Sequence, residues 1–226
     1  MNNKKALLTI FFIVFIDLLG FSLILPLLPF IAEKYVADAF TIGLLSASYF
    51  VFQLLASPIL GRLSDRYGRK KILIISQLGS AAGFLLLGLA GSLPLLFLSR
   101  IIDGATGGNI SIAQAYIADV TDKKNRARGM GMIGAAFGLG FIFGPAIGGV
   151  LSRFGFWAPA FFATSFSLVT AFSTAFFLKE TVNTAKTSHS PATSFSLSEI
   201  KKAFQVYPVG LLIVVFLVLN LAFSMM

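Results

Sequence analysis

Three ionisable side chains lie inside long apolar runs of this sequence. Asp17 stands in the first run, and Arg100 and Asp103 lie together in another. Charged groups are costly in hydrocarbon, so residues of this kind usually mark ion pathways or proton relays. A carboxylate kept from water holds its charge at a cost and can therefore exchange a proton near neutral pH. The sequence predicts proton-coupling chemistry, with Asp17 as the first candidate.

A structural ion pair is the alternative for these residues. Arg100 and Asp103 are i,i+3 neighbours on a helix, so they can neutralise each other locally. Asp17 and Arg100 could also form a pair of this kind. We expect a coupling role for Asp17, and for Arg100 and Asp103 the coupling and structural roles both stay open.

Polar and small side chains form stripes along two of the apolar runs. If the run that holds Arg100 is one helix turning about 100° per residue, one face carries Arg100, Asp103, Gly104, Gly107, Ser111 and Gln114. Asn109 falls on the opposite side and is predicted to point away. A second stripe joins Ser46, Tyr49, Gln53 and Ser57. The stripes predict a shared wet cavity, with Tyr49, Gln53, Ser111 and Gln114 as its substrate contacts.

The composition indicates the class of protein. The chain is 57% hydrophobic and only 12% charged, and its mean hydropathy is +0.88. Runs of roughly 20 apolar residues can each cross a hydrocarbon core of about 30 Å. We predict an all-α polytopic membrane protein with spans at 6–31, 41–60, 72–91, 93–118, 129–151 and 157–178. A seventh run begins near Pro208 and is still apolar at Met226, so we expect a six-helix bundle (1–178) and the truncated start of a second bundle (207–226).

The basic residues predict the orientation of the spans. Most of the 18 Lys and Arg residues fall on one side, whereas Lys34 and Arg153 fall on the other. By the positive-inside rule the N-terminus is cytoplasmic, and residues 179–206 form a cytoplasmic linker. Within the linker, Ser196 and Glu199 predict a capping box for a short interfacial helix.

Several functions are excluded by what the sequence lacks. The net charge of +9 reports topology rather than a nucleic-acid-binding face, because the cations lie in short loops. The chain has no Cys, and it has no H-E-x-x-H or G-x-S-x-G motif. We expect neither an enzyme nor a metal or cofactor site.

The chain also repeats itself. The segment from Pro58 to Gly68 is echoed from Pro145 to Gly155 at a constant offset of 87, with Pro, Gly, Arg, an aromatic residue and Gly in register. Asp17 is similarly echoed by Asp103. Units displaced by three spans run in opposite senses through a bilayer, which is the inverted repeat of secondary transporters.

Residues 61–71, GRLSDRYGRKK, connect the second and third predicted spans. The cations are explained by topology, but the glycines and Asp65 are not. We expect Gly61 and Gly68 to allow close approach of a neighbour or a positive φ in a short turn. Asp65 could accept hydrogen bonds from a facing helix N-terminus, and Arg69 could pair with Asp119. Such contacts would break and reform as the cytoplasmic side opens.

Small residues line the fifth predicted span. A helix would place Gly134, Gly138, Phe141, Pro145, Gly148 and Gly149 on one face. That face predicts close packing against another helix, with a kink at Pro145 and a surface for rocking motion.

These motifs resemble those of a known family. GRLSDRYGRKK resembles the signature G-x-L-x-D-R-x-G-R-K/R between the second and third helices of the major facilitator superfamily. The Arg100–Gly104 segment is similar to its second motif, and residues 140–149 resemble the fifth-helix motif of its proton-coupled drug antiporters. With YIADVTD at 116–122, the chain is most similar to the tetracycline and multidrug efflux branch.

The resemblance implies two six-helix bundles, alternating access, and export of small drug-like compounds driven by the proton gradient without a cofactor. It implies a first-helix acid at Asp17 and a cavity glutamine at Gln53. The implied cytoplasmic gate is Gly61, Asp65, Arg66, Gly68, Arg69 and Asp119. The implied fifth-helix motif is Gly140, Gly144, Pro145, Gly148 and Gly149.

One departure concerns the substrate. Tetracycline exporters carry an acidic residue in the third helix where this chain has Ser80-Ala81-Ala82-Gly83, which argues against a cationic metal–tetracycline complex. The expected partners are a small-molecule substrate, protons, membrane lipids and the C-terminal half of the same transporter, in a monomer in the cell membrane. A uniporter or importer of a small metabolite, or a six-helix scaffold, are the alternatives.

Overall fold

The computed structural model describes residues 3–182, and in this range the chain forms helices without a β-strand. The predicted linker beyond residue 182, including Ser196 and Glu199, and the seventh run lie outside the described residues. The elements are α1 (Asn3–Ile24), a 3-10 turn (Leu25–Leu27), α2 (Leu28–Glu33), α3 (Ala39–Tyr67), α4 (Arg69–Leu89), α5 (Leu93–Thr106), α6 (Asn109–Val120), α7 (Lys123–Leu151), a second 3-10 turn (Ser152–Phe154) and α8 (Trp157–Phe177).

Five stretches within this range are long and apolar enough to cross a membrane. They are Leu7–Glu33, Ala39–Tyr67, Arg69–Leu89, Lys123–Phe154 and Trp157–Phe177. The first stretch is interrupted at the 3-10 turn, which contains Pro26 and is followed by Pro29 in the first turn of α2. Both prolines lack the backbone N–H that a continuous helix needs.

The fourth predicted span is not one helix, which corrects the sequence prediction. The run 93–118 divides into α5 and α6 at Gly107 and Gly108, each shorter than a membrane span. Helical hydrogen bonding stops there, and the Gly107 N–H bonds to the Gly104 carbonyl in a tighter turn. Two adjacent glycines favour such a break because each costs about 1 kcal/mol in a helix interior relative to Ala.

α3 and α7 begin in the same way and have the same length. Each has 29 residues and starts at an aspartate whose side chain accepts a backbone N–H, Asp38 from Thr41 and Asp122 from Asn125. These N-caps satisfy donors that would otherwise be free at the helix start.

Both repeat segments end at a glycine corner. Gly68 has a φ of 109° and Gly155 a φ of 120°, a region that other residues rarely adopt. The expected turn at Gly61 is wrong: Gly61 lies inside α3 with open space beside it. Residues 61–67 continue the helix because Arg62, Leu63 and Arg66 are good helix formers.

The main helix–helix contacts correspond to one another when two triplets are exchanged. The first triplet is α1–α2, α3 and α4, and the second is α5–α6, α7 and α8. The extensive contact of α1 with α7 corresponds to that of α5 with α3, and the contact of α1 with α8 corresponds to that of α5 with α4. The α4–α8 contact corresponds to itself. This is the pattern that a pseudo-twofold axis between two three-span units requires, and it agrees with the predicted inverted repeat.

Two apolar clusters fill the bundle. One is built around Ile13, Leu73 and Tyr116, and the other around Leu23 and Phe84. Along α1, α4 and the α5–α6 pair, the chain passes from one cluster to the other through a level of polar residues. Asp17, Ser80, Asp103 and Asn109 lie at this level.

Candidate functional site

A cavity of about 100 Å³ opens at the polar level between the two apolar clusters. Helices α1, α3, α4, α5, α6 and α7 contribute to its wall. Its polar lining residues are Asp17, Tyr49, Gln53, Ser80, Asp103 and Asn109, and its aromatic ones are Phe21, Phe50, Phe84 and Phe137. The structure thus brings together four of the predicted site residues, Asp17, Tyr49, Gln53 and Asp103.

Asp17 is held by a residue that the sequence analysis placed elsewhere. Asn109 Nδ2 donates a hydrogen bond to Asp17 Oδ1 at 2.8 Å, and Asn109 is buried. The prediction that Asn109 points away is wrong because it carried a single helical period across Gly107 and Gly108. The break between α5 and α6 changes the rotation of α6 relative to α5. As a result the Asn109 side chain faces α1.

Arg100 and Asp103 form the local ion pair that was one of the two expected arrangements. Arg100 Nη1 lies 3.3 Å from Asp103 Oδ2, and both side chains are almost fully buried. The guanidinium also lies 5.6 Å from the centre of the Phe84 ring, a cation–π distance. Asp103 lines the main cavity, whereas Arg100 lines a smaller pocket beyond Tyr49.

The break between α5 and α6 also fixes the α3 side of the cavity. Gln53 Nε2 donates to the Gly107 carbonyl at 3.1 Å and to the Tyr49 hydroxyl at 3.0 Å. The Tyr49 ring stacks on Phe21 with their centres 4.9 Å apart. A helix that continued through Gly107 would use that carbonyl internally, so the break supplies an acceptor to the cavity wall.

Ser111 and Gln114 do not line this cavity, and their role as substrate contacts stays a prediction. The Ser111 hydroxyl donates to the Gly108 carbonyl of its own helix at 2.9 Å. Gln114 is exposed on α6. Both predictions extended the α5 stripe across the helix break.

Arg69 is the centre of the second predicted cluster, at the ends of α3 and α6 and the start of α4. Its side chain forms an ion pair with Asp65, donates from Nε to Asp119 Oδ2 at 3.2 Å, and donates from Nη1 to Ser64 Oγ at 2.7 Å. Arg66 lies outside this cluster and faces the Tyr67 ring at 5.3 Å.

Glu180 joins this cluster, and the sequence analysis missed it. Its Oε1 accepts the backbone N–H of Arg69 at 2.8 Å, at the first turn of α4. The next residue, Thr181, donates its hydroxyl to Asp119 Oδ2 at 3.0 Å. An acidic residue at a helix N-terminus is favourable because the free N–H groups there carry partial positive charge. No local signal marks Glu180, because α4 and the end of α8 are distant in sequence.

The glycines of α7 pack on a different face from the one predicted. Gly140, Gly144 and Gly148 are buried against α1, and the Ser22 hydroxyl donates to the Gly140 carbonyl at 2.7 Å. Of the predicted face, Gly148 is buried, and the Phe141 ring meets the Phe21 ring of α1 with their centres 6.2 Å apart. The exposed members are Gly134, Gly138, Pro145 and Gly149. Small residues line both sides of α7, and periodicity does not say which side has a neighbour. Packing of another helix on the predicted face stays a prediction, because that face meets few of the residues in 3–182.

The helices, their apolar lengths and the paired triplets define a class, the multi-pass helical membrane proteins with a transporter fold. The sequence matches the family model of the Major Facilitator Superfamily over residues 10–226. The chain therefore belongs to the major facilitator superfamily.

Its relatives include antibiotic and multidrug resistance proteins. The chain is 40% identical to tetracycline resistance protein class H of Pasteurella multocida over 178 residues, covering 77% of this chain and 44% of the relative. It is 34% identical to multidrug resistance protein 2 of Bacillus subtilis (strain 168), covering 94% of this chain and 55% of that protein. The chain thus spans about half the length of the curated relatives it matches.

Solved structures show the same fold. The crystal structure of the human organic anion transporter TETRAN superimposes with a TM-score of 0.74 at 28% identity, covering 82% of this chain and 50% of that one. A bacterial homologue of the human lysosomal transporter Spinster, inward-facing and unoccupied, also gives a TM-score of 0.74, at 18% identity, covering 90% of this chain and 49% of that one.

Proposed function

We propose that this chain forms half of a proton-coupled secondary transporter that exports small amphiphilic compounds by alternating access. It acts in the cell membrane with its N-terminus in the cytoplasm, as a monomer completed by a second bundle. It is not an enzyme, does not bind nucleic acid, and uses the proton gradient rather than a cofactor. The observation that carries this proposal is Asp17, which faces a cavity at the membrane-buried level beside the Asp103–Arg100 pair.

Charge balance supports a coupling role for Asp17. Arg100 compensates one carboxylate, Asp103, so an ionised Asp17 leaves one net negative charge in the cavity. A proton on Asp17 removes that charge, and so does a cationic substrate beside it. Since a net charge is unfavourable at this depth, the cavity favours either a proton on Asp17 or a bound cationic substrate at any time. Alternation between them is the chemical basis of exchange.

The Arg69 cluster supports a gate at the cytoplasmic side. Asp65 and Asp119 both contact Arg69, and Glu180 binds the start of α4. These contacts tie α3, α4, α6 and the end of α8 together at one face. We propose that the gate opens and closes by rearranging them, with Asp65 also available to a helix of the second bundle.

The coupling proposal is tested with Asp17→Asn in proteoliposomes of the full-length protein. A vesicle screen against a compound panel, with collapse of the pH gradient as readout, first supplies a substrate. Asp17→Asn is expected to abolish accumulation driven by the pH gradient while substrate exchange at equal pH persists. Asp38→Asn, an exposed aspartate at the start of α3, is the matched control and keeps gradient-driven transport.

The outcomes separate the proposal from its rivals. Gradient-driven accumulation that survives in Asp17→Asn contradicts the coupling role. Wild-type transport that ignores the pH gradient instead indicates a uniporter. Absence of transport by the full-length wild-type protein for every compound in the panel favours a scaffold.

A further inference from the structure

The Asp17 carboxylate has a single side-chain hydrogen-bond partner among residues 3–182. Asn109 Nδ2 donates to Asp17 Oδ1 at 2.8 Å, across 92 positions of the sequence. Asn109 is 3% exposed, whereas Asp17 is only partly buried and lines the cavity. The carboxyl that can exchange a proton with the cavity is therefore held from behind by a buried amide of another helix.

The position of Asn109 is fixed by the break that precedes it. Asn109 is the first residue of α6, and the Gly107 carbonyl just before it accepts a hydrogen bond from Gln53 Nε2 of α3 at 3.1 Å. A Cβ on Gly108 would lie 2.7 Å from Leu60 Cδ1, so α3 packs directly on the break. The amide thus extends toward α1 from a turn that α3 holds in place.

No cation of the described residues compensates Asp17. The titratable side chains that share the cavity with it are Asp103 and Tyr49, and Arg100 forms its ion pair with Asp103. Helices α4 and α7 carry their Lys and Arg residues near their starts, away from the cavity lining, and α8 has no titratable side chain. The hydrogen bond from Asn109 is therefore the specific contact that stabilises a negative charge on Asp17.

The chemistry of the amide favours the ionised form of its partner. An ionised carboxylate only accepts hydrogen bonds, so the amide nitrogen faces it. When Asp17 carries a proton, the amide can turn and accept the O–H through its oxygen. That bond joins two neutral groups, and a hydrogen bond to a charged group is roughly twice as strong. The difference between the two bonds favours release of the proton.

We propose that Asn109 is a positioning residue for the coupling carboxylate: its amide favours the ionised form of Asp17 and thereby sets the pH at which this carboxyl releases its proton. The inference rests on the proposed function, which assigns proton coupling to Asp17, and it adds the group that adjusts the exchange. Without the amide donor, the proton stays on Asp17 up to a higher pH.

The direct test measures the protonation of Asp17 and needs no substrate. The infrared absorption of protonated carboxyl groups is recorded for the purified full-length protein from about pH 4 to about pH 10. Subtraction of the Asp17→Asn spectrum assigns the Asp17 band. Asn109→Leu keeps a branched side chain and removes the donor. We expect it to raise the pH midpoint of the Asp17 band by about one unit, the difference between a charged and a neutral hydrogen bond.

Further variants separate the hydrogen bond from the polarity and the packing of the cavity. Gln53→Leu removes another amide of the same cavity, one that donates to Tyr49 and Gly107 and not to Asp17, and is expected to move the midpoint much less. Asn109→Gln keeps an amide donor and is expected to return the midpoint toward the wild-type value. If Asn109→Leu does not fold, Asn109→Ala removes the same donor without added bulk and is expected to shift the midpoint in the same direction.

Three outcomes overturn the inference. An unchanged or lower midpoint in the variant that lacks the donor shows that the amide does not favour the ionised form. An equal rise in Gln53→Leu assigns the effect to the polarity of the cavity. Absence of a titrating Asp17 band over the whole range also rejects the inference.

Transport in proteoliposomes keeps this inference apart from the proposed function. In Asn109→Leu the pH dependence of gradient-driven transport is expected to move with the midpoint of the Asp17 band. If Asp17→Asn abolishes gradient-driven transport while Asn109→Leu leaves the midpoint unchanged, the inference fails and the proposed function stands. If the midpoint moves as expected while Asp17→Asn keeps gradient-driven transport, the proposed function fails and the inference stands.

Discussion

Two equivalent helix contacts in this bundle achieve close approach with glycines from opposite partners. In the α1–α7 contact the glycines lie on α7, where Gly140, Gly144 and Gly148 face the backbone of α1. In the α3–α5 contact they lie on the other partner, where Gly104 and Gly107 face Tyr49 and Gln53 of α3. Exchange of the two triplets maps the α1–α7 contact onto the α5–α3 contact, so α7 corresponds to α3. The glycines lie on α7 in the first contact but on the partner of α3 in the second.

The difference shows which helix of each contact can present polar side chains to the cavity. Glycines on α7 let α1 pack closely while α1 keeps its own side chains, including Asp17. Glycines on the α5–α6 pair let α3 keep Tyr49 and Gln53 at the cavity, and they break the helix so that Asn109 reaches Asp17. In both contacts the helix without the glycines presents polar side chains to the cavity.

The largest effect is expected from an added methyl group in the α1–α7 contact. A Cβ on Gly144 would meet Ser22 Oγ and would lie 2.9 Å from the backbone nitrogen of Leu23. Because backbone cannot move aside as a flexible side chain does, Gly144→Ala is expected to destabilise the protein by about 2 kcal/mol or more. Thermal unfolding of the purified protein measures this.

Gly138 is the matched control on the same helix. A Cβ at this position meets nothing within 4 Å, and Ala favours a helix over Gly by about 0.5–1 kcal/mol. Gly138→Ala is expected to be neutral or stabilising. If Gly138→Ala destabilised the protein as much as Gly144→Ala, the assignment of the α7 face that packs on α1 would be wrong.

A graded effect is expected in the α3–α5 contact, similar in size at Gly104 and smaller at Gly107. A Cβ on Gly104 would collide with the Tyr49 carbonyl and lie 3.1 Å from Phe52 Cβ, whereas one on Gly107 would lie 3.1 Å from the movable Gln53 amide nitrogen. Gly104→Ala is expected to cost about 2 kcal/mol or more, because the Tyr49 backbone cannot move aside. Gly107→Ala is expected to cost about 1 kcal/mol, close to the worth of one hydrogen bond. Chemical unfolding of the two variants side by side gives the order, and the reverse order would contradict it.

The smallest effect is expected at the starts of α3 and α7, where the two triplets use the same device. Hydrogen bonds from Thr41, mainly from its side chain, lower the pKa of the Asp38 carboxyl below its ordinary value. A lowered pKa means that the folded state is stabilised at neutral pH and that this contribution is lost as the pH falls through the folded pKa.

The stability difference between wild type and Asp38→Ala is therefore expected to be small at about pH 7 and to shrink toward about pH 3. The midpoint of thermal unfolding, followed for both proteins across this range, checks the sign. Asp122→Ala removes the equivalent cap of α7 and is expected to show a loss of similar size at neutral pH. A difference that grew on acidification would contradict the cap.

The sequence predicts well what depends on local composition. Apolar length located the spans of α3, α4, α7 and α8, and the repeat predicted that Gly68 and Gly155 would be equivalent. A charged residue in an apolar run was sufficient to locate Asp17 and Asp103 at the cavity.

The sequence fails where the outcome depends on a neighbour or on a break. Asn109, Ser111 and Gln114 were placed by extending one helical period through Gly107, although two adjacent glycines are a recognisable signal that the period stops. The packed face of α7 could not be predicted, because glycines occur on both sides of it. Glu180 was missed because it is 111 residues from Arg69 in the sequence, and only the packing of the bundle brings the two together.

The docking of Glu180 bears on where the chain can be cut. Apolar length alone would place the end of a minimal first bundle at Phe177, the last residue of α8. A protein shortened there would lose the carboxylate at the first turn of α4 and the hydroxyl of Thr181 on Asp119. An expression boundary for this bundle should therefore follow Val182, so that the polypeptide keeps the residues that hold the start of α4 and the end of α6 together.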